Sequence, residues 1–211
     1  MTDRTAFLAR IRERLADGAP ANLPHPIEPI DGVPRIDYRR DLSDPVDAFT
    51  QAAGRVGTNV RRTDDAGELV AEVVAAHAIR TAALSREPEC EGLAQRLRGA
   101  GIEIVEDLSR ADLGVTGAAW GIAATGSVVV DASRAGGRSV SLLPEVHLAL
   151  LRADRILPQA GDLFRSLDER FDGGPPSQFV LITGPSKSGD IELQITMGVH
   201  GPRTVWVGIV G

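Results

Sequence analysis

The chain has 211 residues, a formal net charge of −6 and 43% hydrophobic residues, which suits one domain with an extension or two small domains. Aromatic residues make up 4% of the chain and no Lys/Arg stripe stands out, so a nucleic-acid-binding surface is not expected. The single cysteine, Cys90, excludes an internal disulfide and any cysteine-ligated iron–sulfur cluster held by this chain alone.

The N-terminal segment is predicted to be a helix followed by a proline-rich arm. Apolar residues recur at helical spacing up to about residue 16, and residues 19–35 contain many prolines and little periodicity. We therefore divide the chain into a helix and arm at 1–36 and an α/β domain at 37–211. Whether the arm packs on its own domain or on another subunit of a homo-oligomer stays open. The N-terminus lacks the apolar segment of a signal peptide, and no apolar run reaches about 18 residues, so we expect a soluble, cytoplasmic protein without a membrane span.

The next part of the chain alternates helical and strand patterns. Helices are predicted to begin near Asp44-Pro45, after Asp64 or Asp65, and at residue 92. Strands are predicted at 59–62, 80–84, 101–105 and 111–116. Cys90 has acidic neighbours, which raise a thiol pKa, so we expect it to be inert. This alternation predicts an α/β fold with a mainly parallel twisted sheet flanked by helices.

The C-terminal half is predicted to add more strands. They lie at 127–131, at 146–151 and at 204–210, with a short turn of helix at 120–124 and a helix at about 160–170. His147, among apolar residues, is expected to be a core histidine, and His77, at a helix end, a structural one. A buried strand at 179–183 ends at Gly184-Pro185. If this strand is parallel, the polar residues after it lie where open α/β sheets bind ligands.

The polar residues around these strand ends are the candidate site. The Gly184 loop could cradle an anion with its backbone N–H groups, or it could be a strand-to-helix turn capped by Ser186 or Ser188. His200, Glu192 and Asp190 are the catalytic candidates, although the two carboxylates could instead pair with Lys187 or Arg203. No metal-ligand spacing is present, and no metal site is predicted. The candidate ligand-binding residues are Thr125, Gly126, Ser127, Gly184, Pro185, Ser186, Lys187, Ser188, Asp190, Glu192, His200, Gly201 and Arg203.

Three blocks of sequence together resemble the LUD domain family, and within it the lactate utilization protein C subfamily. The first block is Gly121-Ile-Ala-Ala-Thr-Gly-Ser-Val-Val-Val130, and the second is Ser141-Leu-Leu-Pro-Glu-Val-His147. The third joins Ile182-Thr-Gly-Pro-Ser-Lys-Ser-Gly-Asp-Ile-Glu192 to Gly198-Val-His-Gly-Pro202. The resemblance covers roughly residues 40–211, and it favours a ligand site over a plain turn at Gly184.

The resemblance implies a fold like that of the sugar-phosphate isomerases and CoA transferases. It also implies a role in oxidising L-lactate to pyruvate beside two partner proteins, one or both of which carry iron–sulfur clusters. From the residues of the strand-end loops we expect a small anionic or phosphorylated ligand, and we expect no cofactor held covalently or by cysteine. Two positions depart from the family's common pattern: Ala124 stands where Glu is usual, and Lys187 where Arg is usual. No direct catalytic motif is present, so whether the chain is an enzyme is left open. The alternatives are a stand-alone isomerase-like or transferase-like enzyme acting on a phosphorylated or acyl substrate, and a non-catalytic structural subunit.

Overall fold

A computed structural model describes residues 4–17, 44–133, 137–165, 178–189 and 196–211. The proline-rich arm, Asp190 and Glu192 lie outside the described residues. The chain divides into two units, residues 1–38 and 39–211. In the first unit the predicted N-terminal helix is present as α1 (Arg4–Asp17).

The second unit contains five α-helices among its described residues. They are α2 (Pro45–Val56), α3 (Ala66–His77), α4 (Leu93–Gly99), α5 (Ser139–Leu142) and α6 (Ala160–Arg165). Helix α2 begins where the sequence predicts, because the Asp44 carboxylate accepts hydrogen bonds from the backbone N–H groups of Val46 and Asp47. It ends at Gly57, whose φ of 93° is the left-handed conformation that favours glycine at a helix end.

A parallel sheet forms the centre of this unit. The strands of the unit, in chain order, are β1 (Asn59–Thr63), β2 (Thr81–Leu84), β3 (Glu103–Ile104), β4 (Leu113–Ala118), β5 (Trp120–Ile122), β6 (Ser127–Asp131), β7 (Val146–Arg152), β8 (Ile156–Leu157), β9 (Phe179–Ile182), β10 (Lys187–Ser188), β11 (Thr196–Met197) and β12 (Thr204–Val210). Six of them form one sheet in the order β1-β12-β7-β4-β2-β3. Every neighbouring pair in it is parallel, which confirms the predicted fold class.

Side chains of the central strands alternate between two apolar layers, as the strand period of two requires. On β7, Leu148 and Leu150 face the layer that also contains residues of α3 and α4. Ala149 and Leu151 face the other layer, which contains Phe49 and Ala53 of α2. The six-stranded sheet is therefore covered on both faces. None of the described helices is long and apolar enough to cross a membrane.

A second, four-stranded sheet has the order β8-β5-β6-β9 and corrects two predictions. Residues 120–122 are not a turn of helix. They form β5, which pairs antiparallel with β6, since Trp120 lies opposite Val129. The 179–183 segment is also not a buried parallel strand, because β9 pairs antiparallel with β6 and its Leu181 is 45% exposed. The polar residues after β9 therefore do not follow a strand of the parallel sheet.

Candidate functional site

A chain of hydroxyl groups connects two of the sequence blocks. Thr125 Oγ1 lies 2.7 Å from Ser127 Oγ, which lies 2.6 Å from Thr183 Oγ1. The antiparallel pairing of β6 with β9 produces this arrangement, because it places Val128 opposite Ile182, one residue from each of the bonded hydroxyls. Ser127 is buried, whereas Thr125 and Thr183 are exposed at the two ends of the hydroxyl chain.

Two glycines of the candidate site allow close packing against α2. A Cβ atom on Gly126 would lie 2.1 Å from the backbone nitrogen of Ala53, and one on Gly184 would lie 2.8 Å from the carbonyl oxygen of Val56. Both glycines have positive φ values, 66° and 82°. The glycines thus bring both loops against the C-terminal half of α2, where no larger residue fits.

Lys187 lies at the same end of α2. Its Nζ donates a hydrogen bond of 3.0 Å to the carbonyl oxygen of Val56, in the last turn of the helix. A cation is favoured there by the helix dipole. Lys187 and Ser188 form β10, which pairs antiparallel with β11, so the Gly184 loop leads into a strand and not into the start of a helix. The anion cradle can therefore not rely on a helix that begins at these residues.

Backbone hydrogen bonds join the Gly184 loop to the loop that carries His200. Ser186 donates through its N–H to the carbonyl of Pro202 at 2.9 Å and accepts through its carbonyl from the N–H of Gly198 at 3.0 Å. The backbone N–H of His200 lies 3.3 Å from Ser186 Oγ, and Gly201 lies close to the Ser186 side chain. The His200 side chain is exposed, which leaves the imidazole at the surface beside this loop.

Arg203 connects this region to the second sequence block. Its guanidinium forms an ion pair of 3.1 Å with Glu145, and both side chains are exposed. The N–H groups of Arg203 and Thr204 both donate to the Glu145 carbonyl, which holds the start of β12 beside β7. An exposed pair contributes little free energy, so the backbone bonds are the stronger link.

The structure thus brings the hydroxyl chain, the Gly184 loop and the His200 loop together around α2 and β10. Ala124, the position where the family commonly has Glu, is half-buried and donates its N–H to the Pro158 carbonyl at 3.0 Å. Asp190 and Glu192 lie outside the described residues, so the predicted acid/base pair stays a prediction. Within the described ranges, no group of three or more His, Cys, Asp or Glu side chains could hold a metal ion.

Two buried residues expected from sequence to be inert have perturbed acidity. His147 is fully buried, with Nε2 2.9 Å from Thr116 Oγ1, and burial lowers the pKa of the imidazole to about 4. Burial likewise raises the pKa of the Cys90 thiol to about 12. A neutral core histidine and an unreactive thiol both follow from this burial.

Sequence reasoning missed Glu87, a carboxyl group just beyond the end of β2. Both of its carboxylate oxygens are inaccessible to solvent. Burial raises the pKa of Glu87, although Ser85 and the Gly117 amide oppose the shift. The signal available in the sequence was its position three residues after the strand predicted at 80–84, because ligands of open parallel sheets bind beyond the carboxyl ends of the strands.

Comparisons with known proteins agree with the observed fold and with the sequence blocks. A family model described as LUD domain matches residues 46–210. "Lactate utilization protein C" of Halalkalibacterium halodurans is 29% identical over 94% of this chain and 94% of its own length. "Uncharacterized protein YkgG" of Escherichia coli is 40% identical over 48% of this chain and 45% of its own. The crystal structure of a DUF162 family protein from Deinococcus radiodurans has a TM-score of 0.55 and 22% identity, covering 79% of this chain and 96% of that one.

Proposed function

Because the chain belongs to the LUD domain family, we propose that it serves lactate utilization as a protein that binds a small anion beside the C-terminal end of α2. One observation carries the role: a relative named for lactate utilization aligns over 94% of both chains. The anion site is a more specific proposal than the role in lactate utilization. It is supported by the hydrogen-bond donors of Lys187 and of the hydroxyl chain.

The hydroxyl chain has one proton more than its internal hydrogen bonds use. Thr125, Ser127 and Thr183 carry one O–H each, and the two contacts within the chain use two of the three protons. When the two hydrogen bonds run in the same direction, the third proton lies at an exposed end of the chain, where it can be donated to an acceptor. A chain of hydrogen bonds that runs in one direction also polarises its last donor.

Lys187 supplies the positive charge. Its ammonium group has three N–H donors, and one of them reaches the Val56 carbonyl at 3.0 Å. The side chain is exposed, so the other donors remain available to a ligand carboxylate or phosphate. An ammonium binds such a group as a point charge, without the planar fork of the Arg that is common in the family at this position. The exposed imidazole of His200 adds a donor next to the same loop.

We place the redox chemistry in partner proteins. Oxidation of lactate to pyruvate releases two electrons and two protons, which an acceptor must take up. This chain has a single cysteine, which cannot hold an iron–sulfur cluster by itself. The proposed role is therefore that of a subunit beside iron–sulfur proteins that carry the electrons, while this chain binds the substrate, the product or a regulatory anion.

The test is a double variant, Lys187→Ala with His200→Ala, compared with Arg98→Ala, which removes an exposed cation from α4. Titration calorimetry with L-lactate, pyruvate and inorganic phosphate should show binding to the wild type and to Arg98→Ala. We expect the double variant to bind at least about tenfold more weakly, a loss of about 1.4 kcal/mol. A strain that carries it should also grow poorly on lactate.

A purely structural role is the second candidate, because Gly126, Gly184 and Lys187 all contact α2 directly. In that case no anion binds the wild type, and the double variant, once shown to fold, still supports growth on lactate. Growth of that kind would overturn the proposed anion site.

A further inference from the structure

The 211 residues contain a single lysine, and it lies in the proposed anion site. Of the 23 Lys and Arg residues only Lys187 is a lysine, and the other 22 are arginines. An arginine guanidinium stays protonated in proteins, whereas a lysine amine can lose its proton and then act as a nucleophile. Lys187 is therefore the one side chain of this sequence whose amine an acyl donor can modify.

The Lys187 amine is accessible at the C-terminal end of α2. The side chain is exposed, and its Nζ lies 3.6 Å from the position that a Cβ atom on Gly57 would occupy. Pro185 Cγ also lies 3.6 Å from that position, so the amine is next to a glycine and a proline ring. Because Gly57 has no side chain, this side of the amine is left open to a reactant.

The Val56 carbonyl oxygen places this amine close to the hydroxyl chain. It accepts the hydrogen bond from Lys187 Nζ at 3.0 Å, and it lies 2.8 Å from the position of a Cβ atom on Gly184. Thr183, the residue before Gly184, is an exposed end of the hydroxyl chain. A nucleophile and a hydroxyl donor thus lie at the same turn of α2. A reactant whose anionic group binds the hydroxyl is therefore held close to the amine, which favours reaction between them.

Acylation of Lys187 is compatible with its contact to α2. The ammonium has three N–H donors, of which one binds the Val56 carbonyl. The amide formed by acylation keeps one N–H, which is enough for that bond, but it has no positive charge and no donor left for a ligand. The modification should therefore leave the end of α2 in place and weaken the binding of an anion.

We propose that Lys187 is a regulatory acylation site, at which an acyl phosphate transfers its acyl group to Nζ and thereby weakens the anion site. The inference rests on the proposed function, because the phosphate group of the acyl donor binds where the small anion binds. Phosphate oxygens accept charge-assisted hydrogen bonds from the hydroxyl chain, which an acyl donor without an anionic group cannot do. Acylation by a bound donor then removes the charge on which further anion binding depends.

The reaction balances without an oxidant or a reductant. The Lys187 ammonium first loses one proton to solvent, and the neutral amine attacks the carbonyl carbon of the acyl phosphate. An N–C bond forms, the C–O bond to the phosphate breaks, and inorganic phosphate leaves with the electron pair of that bond. The nitrogen then loses its second proton to solvent. Because only the neutral amine attacks, the rate should rise with pH.

The probe is acetyl phosphate, and intact-mass spectrometry of the full-length protein with peptide mapping measures acetylation at Lys187. The control variant combines Lys187→Arg with Arg98→Lys, which moves the single lysine to an exposed position on α4. We expect Lys187 to react at least about tenfold faster than the relocated lysine, at a rate that saturates with acetyl phosphate and falls when inorganic phosphate is added. The N-hydroxysuccinimide ester of acetate, which has no phosphate, should modify both at similar rates. Equal rates with acetyl phosphate would overturn the proposal.

Titration calorimetry with inorganic phosphate measures the consequence for the anion site. Acetylated wild-type protein should bind phosphate at least about fivefold more weakly than untreated protein, while circular dichroism shows the same fold. Lys187→Arg cannot be acylated at this position, so its affinity, whatever its initial value, should be the same before and after treatment. If acetylated and untreated wild-type proteins bind phosphate equally well, acylation does not regulate the site and the proposal is wrong.

The acylation site and the anion site can fail separately. If phosphate binds the unmodified protein but acetylation of Lys187 does not saturate, the anion site stands and the acylation site is refuted. If acetylation of Lys187 saturates but no phosphate, lactate or pyruvate binding is measured, the acylation site stands and the anion site is refuted as proposed. If neither is observed, both are wrong.

Discussion

Replacement of Gly126 by alanine tests whether this glycine of the first sequence block serves packing. Gly126 is buried in the turn between β5 and β6, with a φ of 66°. The added Cβ would lie 2.1 Å from Ala53 N, 2.4 Å from Ala53 Cα and 2.6 Å from the carbonyl carbon of Ala52. All three atoms belong to the backbone of α2, so no side-chain rotation can relieve the overlap.

The expected loss of stability has two sources. An L-residue in the left-handed conformation costs about 1–2 kcal/mol relative to glycine. Displacing a packed helix by the required distance costs roughly 1–3 kcal/mol more, as overpacking in other cores does. The free energy of unfolding should therefore fall by about 2–5 kcal/mol. For a protein of this size the melting temperature should fall by about 4–20 °C.

Gly101→Ala is the matched control, since Gly101 has a φ of 81° but no atom within 4 Å of its added Cβ. It should lose only the conformational part, about 1–2 kcal/mol. Urea unfolding followed by circular dichroism measures both variants. If Gly126→Ala loses no more stability than Gly101→Ala, the contact with α2 is not tight and the packing explanation is wrong. A variant that stays stable but no longer binds anions would show that the glycine serves the ligand.

Two further predictions concern buried ionisable groups. With a pKa of about 12, the Cys90 thiol should react with a disulfide reagent at pH 8 on the order of 10³ times more slowly than a free cysteine, until denaturant exposes it; fast reaction in the native state would contradict its burial. His147 has a folded-state pKa of about 4 against an ordinary value of 6.5, so the unfolded chain binds the extra proton between these values. Stability is therefore fully present above about pH 6.5 and is lost as the pH falls toward 4, by about 2 kcal/mol between pH 7 and 5. His147→Gln should flatten this slope in urea unfolding, and an unchanged slope would assign it to other groups.

Local signals in the sequence account for much of the fold. The Asp44-Pro45 pair predicts the start of α2, and the Asp44 carboxylate does cap that helix. The apolar run before the C-terminus predicts β12, which lies between β1 and β7. A helix cap and an apolar strand run are each determined by residues that are adjacent in the chain. Both can therefore be recognised from the sequence alone. The alternation of helices and strands then suffices to predict a parallel sheet.

The predictions that failed depended on which distant segments pair. The sequence of residues 179–182 does not indicate whether this strand pairs with β6 or joins the parallel sheet, because an apolar β-branched run can pair in either sheet. The sequence of the short β5 also fits a helical turn. Only its pairing with β6, in which Trp120 lies opposite Val129, identifies it as a strand. Glu87 was overlooked for the same reason, since its burial depends on Gly117, thirty residues later, lying against it.

The proposed anion site is built on a packed framework. The segment that carries β4, β5 and β6 is buried along nearly its whole length, and it contacts α2 at Gly126. Such a framework holds polar groups more firmly than a free loop does. The hydroxyls of Ser127 and Thr183 are therefore positioned by the pairing of β6 with β9, whereas the ammonium of Lys187 is positioned by the last turn of α2.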